Sequence, residues 1–109
     1  MDQIETDYRN KVDDFWKKHR ELTGQVHESN NIVVEKYREH KITDVQMRDH
    51  QNKINEIGFL SAQEGKVCNG VLAERSFERT GSTEALEAWG ATLVLLENLI
   101  REASKGKRK

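Results

Sequence analysis

Residues 82 to 104, STEALEAWGATLVLLENLIREAS, carry an apolar stripe too wide for a helix that packs on one neighbour. At 100° per residue, Leu86, Trp89, Leu93, Leu96 and Ile100 form one band. Ala85, Ala88, Leu95, Leu99 and Ala103 form a second band beside it. Together the bands cover about half the circumference, where a surface helix usually buries a stripe of about 100°. Glu84, Glu87, Glu97, Asn98, Arg101 and Glu102 occupy the polar half. Such a helix requires two neighbours, from its own chain or from a second copy.

The rest of the chain reads as two further helices. Proline is absent, so no ring interrupts a helix. The first break falls at His40-Lys41-Ile42-Thr43, where Thr43 and Gln46 form a capping box. Ile42 and Met47 supply the hydrophobic staple, and Asp44 places a negative charge in the first turn. The second break falls at Arg79-Thr80-Gly81-Ser82, read as a glycine followed by a serine cap.

Before the first break, Tyr8, Val12, Phe15, His19, Leu22, Val26, Ser29 and Val33 alternate at threes and fours, the coiled-coil period. Gly24 and Ser29-Asn30-Asn31 mark a place where this helix can kink. In the second segment, Ile54, Ile57, Leu60, Val67, Val71 and Leu72 give an apolar face. Gly58, Ala62, Gly65 and Asn69 give a parallel stripe of small residues. A glycine inside a helix costs about 1 kcal/mol relative to alanine, so close helix approach is expected to compensate. Folding the first two helices back on each other sets Phe15 and Trp16 near Gly65. Folding the third back about residue 80 sets Trp89 near Leu72 and Leu96 near Gly65.

The predicted architecture is all-α. A long antiparallel hairpin of helices at about 3–40 and 44–79 carries a third helix at about 83–104, in a bundle or coiled-coil-like arrangement. Residues 1–104 are expected to form one helical domain, with 105–109 a basic tail. Hydrophobic residues make up 35% of the chain and charged residues 34%, so core material is thin and a partner subunit could supply more. A net charge of −1 gives no global field toward nucleic acid or anionic membrane. The lone Cys68 closes no internal disulfide, and no run of about 20 apolar residues spans a membrane. A soluble, cytoplasmic protein is expected.

Sites for chemistry are not legible. His27-Glu28-Ser29-Asn30-Asn31 begins like a zinc-protease helix, but Asn31 stands where the second histidine is needed. Gly65-Lys66-Val67 lacks the hydroxyl and spacing of a phosphate loop. His19 lies on the inward stripe and is expected to approach Glu64 across the hairpin. Cys68 is read as a packing thiol. No enzyme, cofactor or metal site is expected.

Adjacent apolar pairs direct the functional expectation. Phe15-Trp16, Phe59-Leu60, Leu95-Leu96 and Leu99-Ile100 each point about 100° apart, so one member of each is left over for an interface. Trp16, Phe59, Leu95 and Leu99 are the candidate interface residues of a homodimer or higher oligomer. The expected role is protein–protein binding, as an adaptor, small chaperone or inhibitor of a larger protein. The alternative is nucleic-acid binding through Arg101, Lys105, Lys107, Arg108 and Lys109, whose cations could contact phosphates. A small-ligand site between subunits is a third possibility.

Overall fold

A computed structural model describes residues 3–77 and 80–105. Its first helix, α1 (Gln3–Arg38), runs unbroken through Gly24 and the Ser29-Asn30-Asn31 stretch. The local propensities are overridden there by burial. Ser29 and Val33 both face the core, and the Ser29 hydroxyl is hydrogen-bonded to His50 Nε2 at 2.9 Å. Gly24 lies on the exposed side, where nothing crowds it.

Thr43 starts α2 (Asp44–Glu74) as its side chains dictate. Gln46 N–H donates to Thr43 Oγ1 at 3.1 Å, and Thr43 N–H donates to Gln46 Oε1 at 2.8 Å. This reciprocal pair satisfies two donors that the helix start would otherwise leave orphaned.

The helix ends depart from the sequence reading. α1 stops at Arg38 rather than 40, because His40 takes the left-handed conformation (φ 63°) and Lys41 N–H reaches back to Lys36 O at 2.8 Å. α2 stops at Glu74 rather than 79 for the same reason. Arg75 is left-handed (φ 55°), and Ser76 N–H donates to Val71 O at 3.1 Å. Both are Schellman-type ends built without the usual glycine. The third helix, α3 (Thr80–Ser104), begins before the residue expected to cap it. Ser82 therefore sits inside the helix and is buried. Its hydroxyl donates to Ser76 O, and its carbonyl accepts from the Tyr8 hydroxyl at 2.9 Å.

The three helices form an all-α bundle in which each packs against the other two. The two neighbours that the broad stripe of α3 requires are thus α1 and α2 of its own chain. The bundle is elongated, 57 × 24 × 16 Å. Its core runs along the long axis through Tyr8, Val12, Leu22, Ile54, Cys68, Leu86, Trp89, Leu93 and Leu96. Among the described residues there is no strand, and no helix is long and apolar enough to cross a membrane.

At mid-length, large side chains meet a glycine. A Cβ on Gly65 would lie 2.5 Å from Trp16 Cζ2 and 2.8 Å from Trp89 Cζ2. The Trp16 and Trp89 rings meet at 71° with centroids 4.9 Å apart, and Phe15 meets Trp89 edge-on at 5.4 Å. Phe15 and Trp16 therefore sit near Gly65 as predicted. Trp89, expected near Leu72, instead packs at Gly65. The fold-back of α3 is displaced because α2 ends at Glu74, earlier than predicted. Gly58, the other glycine of the predicted stripe, meets nothing within 4 Å of a built Cβ.

Candidate functional site

Putting Trp16 and Trp89 over one position of α2 decides which way α2 faces. Small and polar residues, Ser61, Gly65 and Cys68, take the inward positions together with Ile54. Leu60 and Val67, read from the sequence as part of the inward face, are consequently turned toward solvent, 40% and 57% exposed. Phe59 is further out, at 66%. On α3, Val94 and Leu95 are 55% and 51% exposed. These five side chains are the principal apolar surface at mid-length, and each sits on a rigid helix.

The predicted interface residues divide accordingly. Phe59 and Leu95 are exposed. Leu99 is half-buried against the core, and its exposed share is small. Trp16 is likewise half-buried, occupied by Gly65 and Trp89, with its Nε1–H donated to Asn69 Oδ1 at 3.0 Å. Both are packing residues of the bundle, since the space left by Gly65 gives Trp16 a place inside. Leu60, Val67 and Val94 were missed. Val94 falls in the polar half of α3, where a single apolar residue between Leu93 and Leu95 gives no periodic signal.

Beneath this surface lies a line of hydrogen-bonded polar groups. Trp89 Nε1–H donates to Ser61 Oγ at 3.0 Å, and Ser61 Oγ lies 2.8 Å from His19 Nδ1. With His19 neutral and protonated on Nε2, the Ser61 hydroxyl donates to Nδ1 and all three groups are satisfied. His19 thus meets Ser61 rather than the expected Glu64. Burial, with a smaller contribution from the Arg20 charge, lowers the His19 pKa below the ordinary imidazole value. Burial and the Lys36 charge lower that of His50 in the same way. Glu64 Oε1 is buried with no hydrogen-bond partner among the described residues.

Cys68 is buried and free. Burial raises its thiol pKa and the Glu64 charge adds to the rise, while the neighbouring Tyr8 hydroxyl opposes it. A thiol held protonated and out of solvent is a poor nucleophile. Burial also pushes the Tyr8 phenol well above its ordinary range. Among the described residues, no group of three or more His, Cys, Asp or Glu is placed to hold a metal ion.

Comparison with protein-family models, curated proteins and solved structures gives no match.

Of the basic residues proposed as phosphate contacts, the two among the described residues are each paired with a carboxylate. Arg101 pairs with Glu97 at 3.4 Å and Lys105 with Glu102 at 3.2 Å, each on its own helix or just past its end. Lys107, Arg108 and Lys109 lie outside the described residues. On the α1–α3 side, a groove of about 320 Å³ runs between Phe15, Lys18, Gly90 and Val94, with Asp14 and Glu97 at its rim. The Lys18–Glu97 ion pair, 3.2 Å long, bridges the two helices beside it.

Proposed function

We propose that this chain is a non-enzymatic helical binding protein that works through contacts with polypeptide, its own copies and another protein included. The observation that carries the reading is the exposure of Phe59, Leu60, Val67, Val94 and Leu95 by 40–66% on two rigid helices. Apolar side chains left this exposed are costly to keep in water and mark interaction sites. Helix faces of this width suit the packing of a further helix, with side chains three and four apart acting as anchors. A reducing, cytoplasmic setting fits the unpaired Cys68 thiol.

The test is photo-cross-linking in cells from a light-activated residue placed at Phe59 or at Leu95, with Asp14 as a control position. Specific protein adducts at the two apolar positions, lost when Leu60 and Val67 or Val94 are changed to Glu, support the reading. Adducts no stronger than at the control position overturn it.

A further inference from the structure

The deepest positions of α2 and α3 share one register. Ile54, Ser61 and Cys68 on α2, and Ser82, Trp89, Leu96 and Ala103 on α3, are each 3% exposed or less and fall on a single seven-residue repeat. Gly65, Leu86 and Leu93, each four residues after one of these, are buried as well. The repeat crosses the break between the two helices without a change of phase, and Arg75 and Arg79 stand where the next core pair would fall. An unbroken repeat of seven is the pattern of one continuous, supercoiling helix.

The break itself is weakly fixed. Between α1 and α2 the chain carries strong end signals: Lys36 and Arg38 in the last turn of α1, then the Thr43 capping box with Asp44 in the first turn of α2. Between α2 and α3 the charges are otherwise. The last turn of α2 has no cation and ends on Glu74, and the first turn of α3 has no acid. The reversal is made by Arg75 at φ 55°, a conformation that glycine adopts freely and other residues adopt at a cost. The sequence Arg75-Ser76-Phe77-Glu78-Arg79 contains neither proline nor glycine and is able to continue a helix.

We infer that two copies of this chain exchange α3. In the exchanged pair, α2 and α3 of one chain run on as a single helix, and α3 lies between α1 and α2 of the second copy. The contacts that α3 makes along its length are remade with the other chain, so no new surface has to be complementary. Tyr8, for example, donates to the carbonyl of the partner's Ser82 instead of its own. The hinge gives up the Tyr8–Phe77 ring contact, 5.5 Å between centroids, and the Ser82–Ser76 hydrogen bond. It gains helical hydrogen bonds and relief of a left-handed residue in each copy. Arg75 keeps its ion pair with Glu5, 2.9 Å long, because α1 and α2 of one chain do not separate. Glu74 with Glu78 and Arg75 with Arg79 become like-charge pairs four apart, and each costs less than the left-handed residue relieved. The exchange makes no use of the apolar surface at Phe59 and Leu95, so it stands or falls apart from the binding reading above.

Distance within one chain reads the exchange. Spin labels at Lys66→Cys and Glu87→Cys, both exposed positions, are diluted in excess unlabelled chain. Folded back, the two labels ride on packed neighbouring helices, under about 20 Å apart. At about 1.5 Å per residue, one continuous helix places them about 31 Å apart. The chain is refolded from urea at low and at high concentration, and gel filtration with light scattering separates the species. The expected result is a monomer of 12.7 kDa with the short distance and a species of twice that mass with the long one. Arg75→Gly should lower the dimer fraction at least about 5-fold, since glycine accepts the left-handed turn and weakens a continuous helix, and Arg75→Leu should raise it. A chain monomeric at every concentration, a dimer whose labels keep the short distance, or a dimer fraction indifferent to both substitutions overturns the exchange.

Discussion

Gly65 is the residue on which the core turns. Its missing Cβ is the space that the Trp16 and Trp89 rings occupy, and rigid indoles cannot withdraw as a flexible side chain would. Gly65→Ala should therefore destabilise the protein by about 1–3 kcal/mol despite alanine's better helix propensity. Gly58→Ala, with nothing within reach of its Cβ, should stabilise by about 0.5–1 kcal/mol. Thermal denaturation followed by circular dichroism should move in opposite directions for the two, by several degrees each. Ser61→Ala leaves both Trp89 Nε1–H and His19 Nδ1 without their partner, at a cost of about 1–3 kcal/mol in the same measurement. At this scale the sequence was half legible. The pattern announced that glycine would meet bulk, and Phe15-Trp16 identified the bulk. It singled out Gly65 by register but kept Gly58 on the same stripe, where nothing meets it, because periodicity fixes which residues share a face and not how far that face is rotated. The rotation comes from three helices fitting at once, and the same rotation exposes Leu60 and Val67.

The helices themselves were most legible where the signals are local. The capping box at Thr43 involves residues three apart and formed as read. The ends of α1 and α2 were misjudged because they were placed from the start signals of the helix that follows, whereas His40 and Arg75 end them earlier in the left-handed conformation. His40→Gly should remove the side-chain penalty of the left-handed conformation and raise the thermal midpoint, by the equivalent of about 1 kcal/mol. Between α1 and α2, two histidine–serine hydrogen bonds cross in opposite senses: His19 to Ser61, and His50 to Ser29. Both imidazoles have lowered pKa values in the folded protein. The unfolded chain therefore binds protons more readily, and folding is favoured as pH rises. This contribution is complete above the ordinary imidazole value of about 6.5 and is lost progressively as pH falls through it toward the lowered values. Urea midpoints measured from pH 8 to pH 5 should fall, and His19→Gln with His50→Gln should flatten that slope.

At the scale of the whole molecule, the all-α hairpin with a third helix laid against it was legible, because three amphipathic segments without proline admit few other arrangements. The partner of the broad α3 stripe was not, since a stripe wanting two neighbours reads alike whether they belong to one chain or two. The bundle is long for its size, with a radius of gyration of 16.8 Å, against about 13 Å for a compact chain of this length. Small-angle scattering from the monomer at low concentration should return the larger value. Tyr8 and Ser82 join the first helix to the start of the last, and the Trp16 ring is closed in by Trp89. These contacts have a consequence for synthesis, which proceeds from the amino end. A nascent chain that has emerged only through α2 carries Phe15 and Trp16 without the indole that covers them, and Tyr8 without the carbonyl that accepts its proton. Two of the three helices precede the interior they share, so the polypeptide stays open toward water until its last quarter is made. A premature stop codon before residue 82 would yield a product holding most of the mass of the protein and lacking the side chain that shuts it.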